Sequence, residues 1–218
     1  MPNNTGQVHQ EDFGWCPPDD QAIEYFSNNP TRLKTRISNF LAYAGTGTNI
    51  GVKWGATLLD PDAQEISSLL INSGEVEPEF TNLPSEYSDE SRLKVMILMT
   101  DGETTLQRGP RAQYYNEESE IEFFAENHVP RGRRNAEFET TTSVANASLE
   151  LRAICELAKA QGVIVYTIGF DISAGSTADD DMRACATSEG HYFDVDGDQL
   201  IVAFDAIAAN IQQLKLVL

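Results

Sequence analysis

Asp101 is the residue in this sequence best placed to do chemistry. It closes the run Lys94-Val-Met-Ile-Leu-Met-Thr100, apolar between its ends, and Gly102 follows it. In an open parallel sheet, ligands bind beyond the carboxyl ends of the strands. A carboxylate at such an end can face a bound ion, with Gly102 allowing a sharp turn and adding no bulk. Thr48 is the second candidate. It follows the glycine-rich stretch Gly45-Thr46-Gly47 and opens a helix. A hydroxyl there suits a hard cation, and a helix N-terminus suits an anionic partner. Gly47 shapes this loop as Gly102 shapes the other. One carboxylate with hydroxyls and waters favours Mg²⁺ over zinc. Each motif alone also has a plain structural reading, because Asp-Gly after a strand is a common turn and Gly-Thr before a helix a common cap. Their order and spacing are what point to a shared site.

Other chemistry finds less support. Asp171-Ile-Ser-Ala-Gly-Ser176 also follows an apolar run, and reads either as a further oxygen-donor loop or as the turn into the next helix. His9, His128 and His191 are scattered, with no serine, cysteine or acidic neighbour arranged as a triad. Neither G-x-x-x-x-G-K-[ST] nor G-x-G-x-x-G occurs. Cys16, Cys155 and Cys185 fit neither a dense disulfide framework nor a C-x-x-C zinc site, leaving one pair and one leftover thiol as an option. Asn146-Ala-Ser148 matches a glycosylation acceptor but falls in an expected helix.

The elements that must position these residues can be read from periodicity. Residues 1–20 read as an irregular arm, and Ala22–Phe26 as an edge or terminal strand. Asn29-Pro30 opens a helix whose apolar stripe is Leu33, Ile37, Phe40, Leu41 and Ala44. A second helix runs from about Asn49 to Leu59. Residues 60–91 hold nine acidic residues and no Lys or Arg, and read as a solvated excursion with a short helix near Ala63–Asn72. The Lys94–Thr100 run predicts a strand covered on both faces. Residues 103–142 form a second polar insertion, with an acidic helical patch (Glu117, Glu118, Glu120, Glu122) and a basic knot (Arg131, Arg133, Arg134). Beyond it, helix Val144–Gln161 stops at Gly162, and strand Val163–Phe170 follows. Helix Ala178–Ser188, capped by Ser176 or Thr177, short strand His191–Val195 and amphipathic helix Leu200–Leu216 complete the chain. Strands alternating with helices predict a doubly wound, mostly parallel α/β sheet with helices on both faces.

Gly45-Thr-Gly-Thr-Asn-Ile50, followed by the Lys94–Gly102 segment, resembles the second and third parts of the metal-ion-dependent adhesion site of von Willebrand factor A-type (vWA) domains. Gly51-Val-Lys-Trp-Gly55, Val163–Phe170, Cys185, His191-Tyr-Phe193 and Ala203-Phe204 are similar to the C-terminal region of TadG-like proteins of bacterial tight-adherence (Tad) pilus systems. The resemblance spans about residues 20–218. It implies a partial vWA-type domain over 21–218 with insertions near 60–92 and 103–142. It also implies a divalent cation, Mg²⁺, held by Asp101 and Thr48. In an oxidising envelope compartment, Cys155 and Cys185 form a disulfide on this reading, with buried thiols as the alternative. The family's first motif, Asp-x-Ser-x-Ser, is missing from residues 1–44. The first central strand is therefore expected to be lacking, either because the chain is a C-terminal fragment or because the domain is degenerate. An open sheet of that kind should aggregate, dimerise or require the missing part.

Composition bounds the function. With 34 acidic and 15 basic residues, the net charge of −19 opposes nonspecific nucleic-acid binding and docking on anionic membranes. No apolar run of about 18 residues is present to span a membrane, and the first 20 residues lack the basic and apolar regions of a signal peptide. The expected function is a non-enzymatic binding module of a pilus-assembly or surface component. It would act on the periplasmic or extracellular face of the bacterial envelope, recognising a protein partner through the cation. The alternatives are a Mg²⁺-dependent hydrolase or phosphotransferase using Asp101, and a degenerate fragment without metal.

Overall fold

Val95–Thr100 forms strand β1, as a run of β-branched and long apolar residues should. In the computed structural model, which describes residues 22–40, 46–112 and 138–215, the chain divides into two compact units. One comprises Thr46–Thr104 and Val144–Leu218, the other Met1–Gly45 and Thr105–Ser143.

The first unit holds a three-stranded parallel sheet in the order β1-β4-β5, with β4 at Ile164–Phe170 and β5 at Tyr192–Val195. β4 sits between two strands and is buried over its five inner residues. Helices α2 (Thr48–Leu59), α4 (Val144–Ala160) and α5 (Thr177–Cys185) cover one face, where Val52, Met96, Leu151, Val165 and Met182 interlock. Helix α6 (Gln199–Lys215) covers the other through Ala203 and Ile207, packed on Tyr166 and Ile168. The α/β reading with helices on both faces therefore holds. Gly162, at φ 82°, ends α4 as expected, and the Val163 amide donates back to the Ala158 carbonyl.

β1 departs from expectation. It alternates: Met96, Leu98 and Thr100 are buried, whereas Ile97 and Met99 are each 42% exposed. Among the described residues β1 is an edge strand paired only with β4, and α6 packs over β4 and β5. Among the described residues, the second face of this apolar strand is covered at Val95, which packs against the Tyr166–Ile207 cluster, and left half-open at Ile97 and Met99.

The 60–91 stretch is more than a solvated excursion. Asp60 caps a 3-10 turn at Pro61–Ala63, and α3 (Gln64–Ser73) follows. Ala63, Ser67 and Val76 are buried. The Ser67 hydroxyl donates to the Leu83 carbonyl at 2.5 Å, and Gln64 Nε2 to that of Pro84 at 2.8 Å. These bonds replace solvent for a polar segment.

In the second unit, α1 (Pro30–Ser38) is capped by Asn29, whose side chain accepts from the Thr31 and Arg32 amides at 3.1 and 3.0 Å. Its expected apolar stripe is not buried: Ile37 is 64% and Phe40 55% exposed, and Leu41 and Ala44 lie outside the described residues. Ala22–Phe26 is no strand. Glu24 spends its carboxylate on Arg32 and Arg36 of α1, at 2.6 and 2.9 Å, and Phe26 turns to φ 29°. Within the 103–142 insertion, β2 (Gln107–Pro110) and β3 (Phe138–Thr142) pair antiparallel, which periodicity did not reveal. The arm at residues 1–20, the acidic patch and the basic knot lie outside the described residues.

Candidate functional site

The strand ends bring the two candidate loops to one place. Thr48 is the first residue of α2, after Gly47 at φ −115°. Its side chain is buried at 8% exposure, and Thr104 Oγ donates to Thr48 Oγ at 3.2 Å. Thr104 lies three residues beyond Asp101, so this bond ties the loop carrying Asp101 to the α2 N-terminus. Asn49, buried beside Thr48, donates from Nδ2 to Glu150 of α4 at 2.7 Å and anchors the same helix end.

Asp101 itself is exposed. The turn after β1 is closed by Thr100, whose hydroxyl donates to the Gly102 carbonyl at 3.0 Å. Gly102 is not in the left-handed region, and a side chain there would meet nothing, so the strain-relieving role expected of it is not used. Glu103 bridges to the next loop: its carboxylate accepts from the Ala178 amide at 3.1 Å, in the first turn of α5. An anionic side chain is favoured at that position by the helix dipole. Sequence reading missed both Glu103 and Thr104. Their only signal was proximity to Asp101, because the partners lie 75 and 56 residues away.

Asp171 stands after β4 at φ 54°, its amide donating to the Val195 carbonyl at 2.8 Å. Ser176 caps α5 by accepting from the Asp179 amide at 3.2 Å. The 171–176 segment is thus a turn into a helix.

Behind this end of the sheet, two buried aspartates are saturated. Asp179 accepts from Tyr192 Oη at 2.6 Å, the Gly175 amide at 2.8 Å and Arg183 Nε at 3.0 Å. The Tyr192 hydrogen bond, with the Gly175 amide and Arg183, holds its carboxyl below the usual aspartate range against the effect of burial. Burial and the bond to Asp179 push the Tyr192 phenol well up. Asp181 accepts from Ser148 Oγ and Arg152 Nε, each at 2.6 Å. Next to it, Cys155 of α4 and Cys185 of α5 are joined as a disulfide, with Cα atoms 5.0 Å apart and both residues fully buried. Cys16 lies outside the described residues. His191 Nδ1 is 2.7 Å from Ser188 Oγ, a neighbour the sequence reading passed over, and its ring lies 4.7 Å from that of Tyr166. Among the described residues no carboxylate completes that pair.

As a test of fit, the candidate donors, the Thr48 hydroxyl and the Asp101 carboxylate, are both oxygen, which matches a hard divalent ion in kind. In number they fall short. Among the described residues, no three His, Cys, Asp or Glu side chains gather as a metal site. Asp101 and Thr48 would be two ligands of a wider shell.

No protein-family model matches the sequence. No curated protein sequence matches it either. Among solved structures, the chain is similar to the vWF domain of the type V pili tip protein Mfa5 from Porphyromonas gingivalis. Identity is 16%, the TM-score is 0.51, and the match covers 89% of this chain and 77% of that one. With the parallel sheet, its covering helices and the loops at its carboxyl end already described, this likeness establishes a vWA-like α/β fold for the chain.

Proposed function

We propose that the chain is a non-enzymatic protein-binding module of vWA type. Its place is the bacterial envelope, on the periplasmic or extracellular face, in pilus assembly or surface adhesion of the Tad kind. The observation that carries the reading is the Thr104–Thr48 hydrogen bond, which draws the Asp101 loop to the α2 N-terminus at the carboxyl end of a vWA-like sheet. The similar solved structure comes from a pilus tip protein, which agrees with that setting. A fully buried disulfide suits an oxidising compartment.

Asp101 presents an exposed carboxylate and Thr48 a held hydroxyl. A Mg²⁺ ion there would supply a Lewis-acidic bridge to a carboxylate of the partner. Thr104 fixes the Thr48 rotamer, while the Glu103 bond to the Ala178 amide holds the loop on its other side. Titration calorimetry with Mg²⁺ and Mn²⁺ tests the reading. The intact chain should bind, and Asp101→Ala should weaken binding about tenfold or more, a loss of at least ~1.4 kcal/mol. Absence of binding by the intact chain removes the cation from the proposal. Turnover of a phosphate ester that disappears in Asp101→Ala would favour an enzyme instead.

A further inference from the structure

We propose that the cavity between α2, α3 and the C-terminal end of α4 binds a small apolar molecule carrying a primary ammonium group. The packing of the elements leaves this hollow. α2 and α4 pack side by side, tied near their N-termini by the Asn49–Glu150 bond. Near their C-termini, Ala56 and Ala158 line the space and are too small to fill it. The cavity has a volume of about 510 Å³, within the ~300–1,000 Å³ typical of small-molecule sites. All its lining residues belong to the unit of Thr46–Thr104 and Val144–Leu218. Val163, one of them, precedes β4, so the cavity lies at the amino end of the sheet, whereas Asp101 follows the carboxyl end of β1. A ligand there is independent of any cation at Asp101.

The walls are mostly apolar. Ile66 of α3 and Leu157 of α4 line the cavity and are 36% and 69% exposed, while Val163 is buried. A ligand body laid on them removes apolar surface from water. The polar groups converge at the end where α2 gives way to the 3-10 turn. Asp60 accepts from the Tyr87 hydroxyl at 3.2 Å and from the Asp62 amide at 2.9 Å. A carboxylate offers about four acceptor positions, so about two remain on Asp60, and the Asp62 side chain is exposed beside it. Burial, then the charge and hydrogen bond of Asp60 and the charge of Asp62, push the Tyr87 phenol up. The two aspartates thus set a negative potential on the cavity wall, which favours a cation. Lys94 does not cancel it by filling the space, because its ammonium donates to the Leu59 carbonyl and lies 4.6 Å over the Tyr87 ring. Lys53 lines the cavity two turns before Asp60, about 10 Å away along the α2 axis. A primary ammonium carries three donors, enough for both carboxylates. Convergent polar groups of shifted ionisation in an apolar cavity are what ligand sites combine.

The test uses the full chain and two probes of the same apolar body, tryptamine and its neutral analogue tryptophol. Titration followed by amide chemical shifts should show saturable tryptamine binding with a Kd of about 1 mM or tighter. The shifts should centre on Ala56, Leu157 and Val163. At about 0.3 M salt, which screens the general attraction of a cation to a chain of charge −19, tryptamine should still bind about tenfold tighter than tryptophol. Asp62→Asn, at an exposed position, should melt close to the parent and weaken tryptamine about fivefold while leaving tryptophol unchanged. Leu157→Gln, also exposed, should weaken both probes. No saturable binding of tryptamine, shifts centred elsewhere, equal affinity for the two probes, or undiminished binding by both folded variants overturns the proposal. If either variant does not fold, the shift map and the comparison of probes on the parent chain still decide.

Discussion

Asp179 shows how a single carboxylate can hold a loop. Its three hydrogen-bond donors come from β5, from the turn at Gly175 and from α5 itself. Because its folded-state pKa is depressed, it adds stability that is fully present above the unfolded aspartate range, near pH ~4. That contribution is lost as pH falls through the folded value. Asp179→Asn should therefore lower the melting temperature at pH 7, and the gap from the parent should narrow on acidification below about pH 4. A gap that does not change with pH would assign the loss to packing. Asp101 contrasts with Asp179 in being exposed. Its substitution should leave melting nearly unchanged while altering cation binding.

Between elements, α4 and α5 are clasped along one stripe of α4. Ser148 and Arg152 meet Asp181, Cys155 meets Cys185, and Lys159 Nζ donates to the Ala184 carbonyl at 2.8 Å. Positions 148, 152, 155 and 159 repeat at spacings of four and three, the period of one helix face. The disulfide closes a separation of 30 residues. On loop-closure entropy alone, replacing both cysteines by alanine should cost about 3–4 kcal/mol in urea unfolding. A loss under about 1 kcal/mol would mean that the Asp181 and Lys159 contacts already restrict the unfolded pair.

For the molecule as a whole, the net charge of −19 matters most. Self-repulsion at that charge destabilises a compact state, and salt screens it, with a Debye length of about 30 Å at 0.01 M and 8 Å at 0.15 M. Scanning calorimetry should find the melting temperature rising between these ionic strengths. A fall would mean that specific ion pairs such as Arg152–Asp181, at 2.6 Å, outweigh the general repulsion.

Much of the fold was legible in the sequence. The β1 run, the Gly162 stop, the strand at Ile164–Phe170 and the Ser176 cap all rest on local rules of periodicity and capping. The same rules located Thr48 and Asp101 at element ends, because a helix start and a strand end are local events. What the sequence alone determined was therefore the order of elements and the chemical type of the candidate donors. Tertiary structure decided the rest. The bond from Thr104 to Thr48 joins residues 56 apart, and the bond from Glu103 to Ala178 joins residues 75 apart. The exposure of Ile97 and Met99 depends on β1 being an edge strand among the described residues. Burial and pairing are properties of neighbours, and a continuously apolar strand reads the same at the centre of a sheet and at its edge.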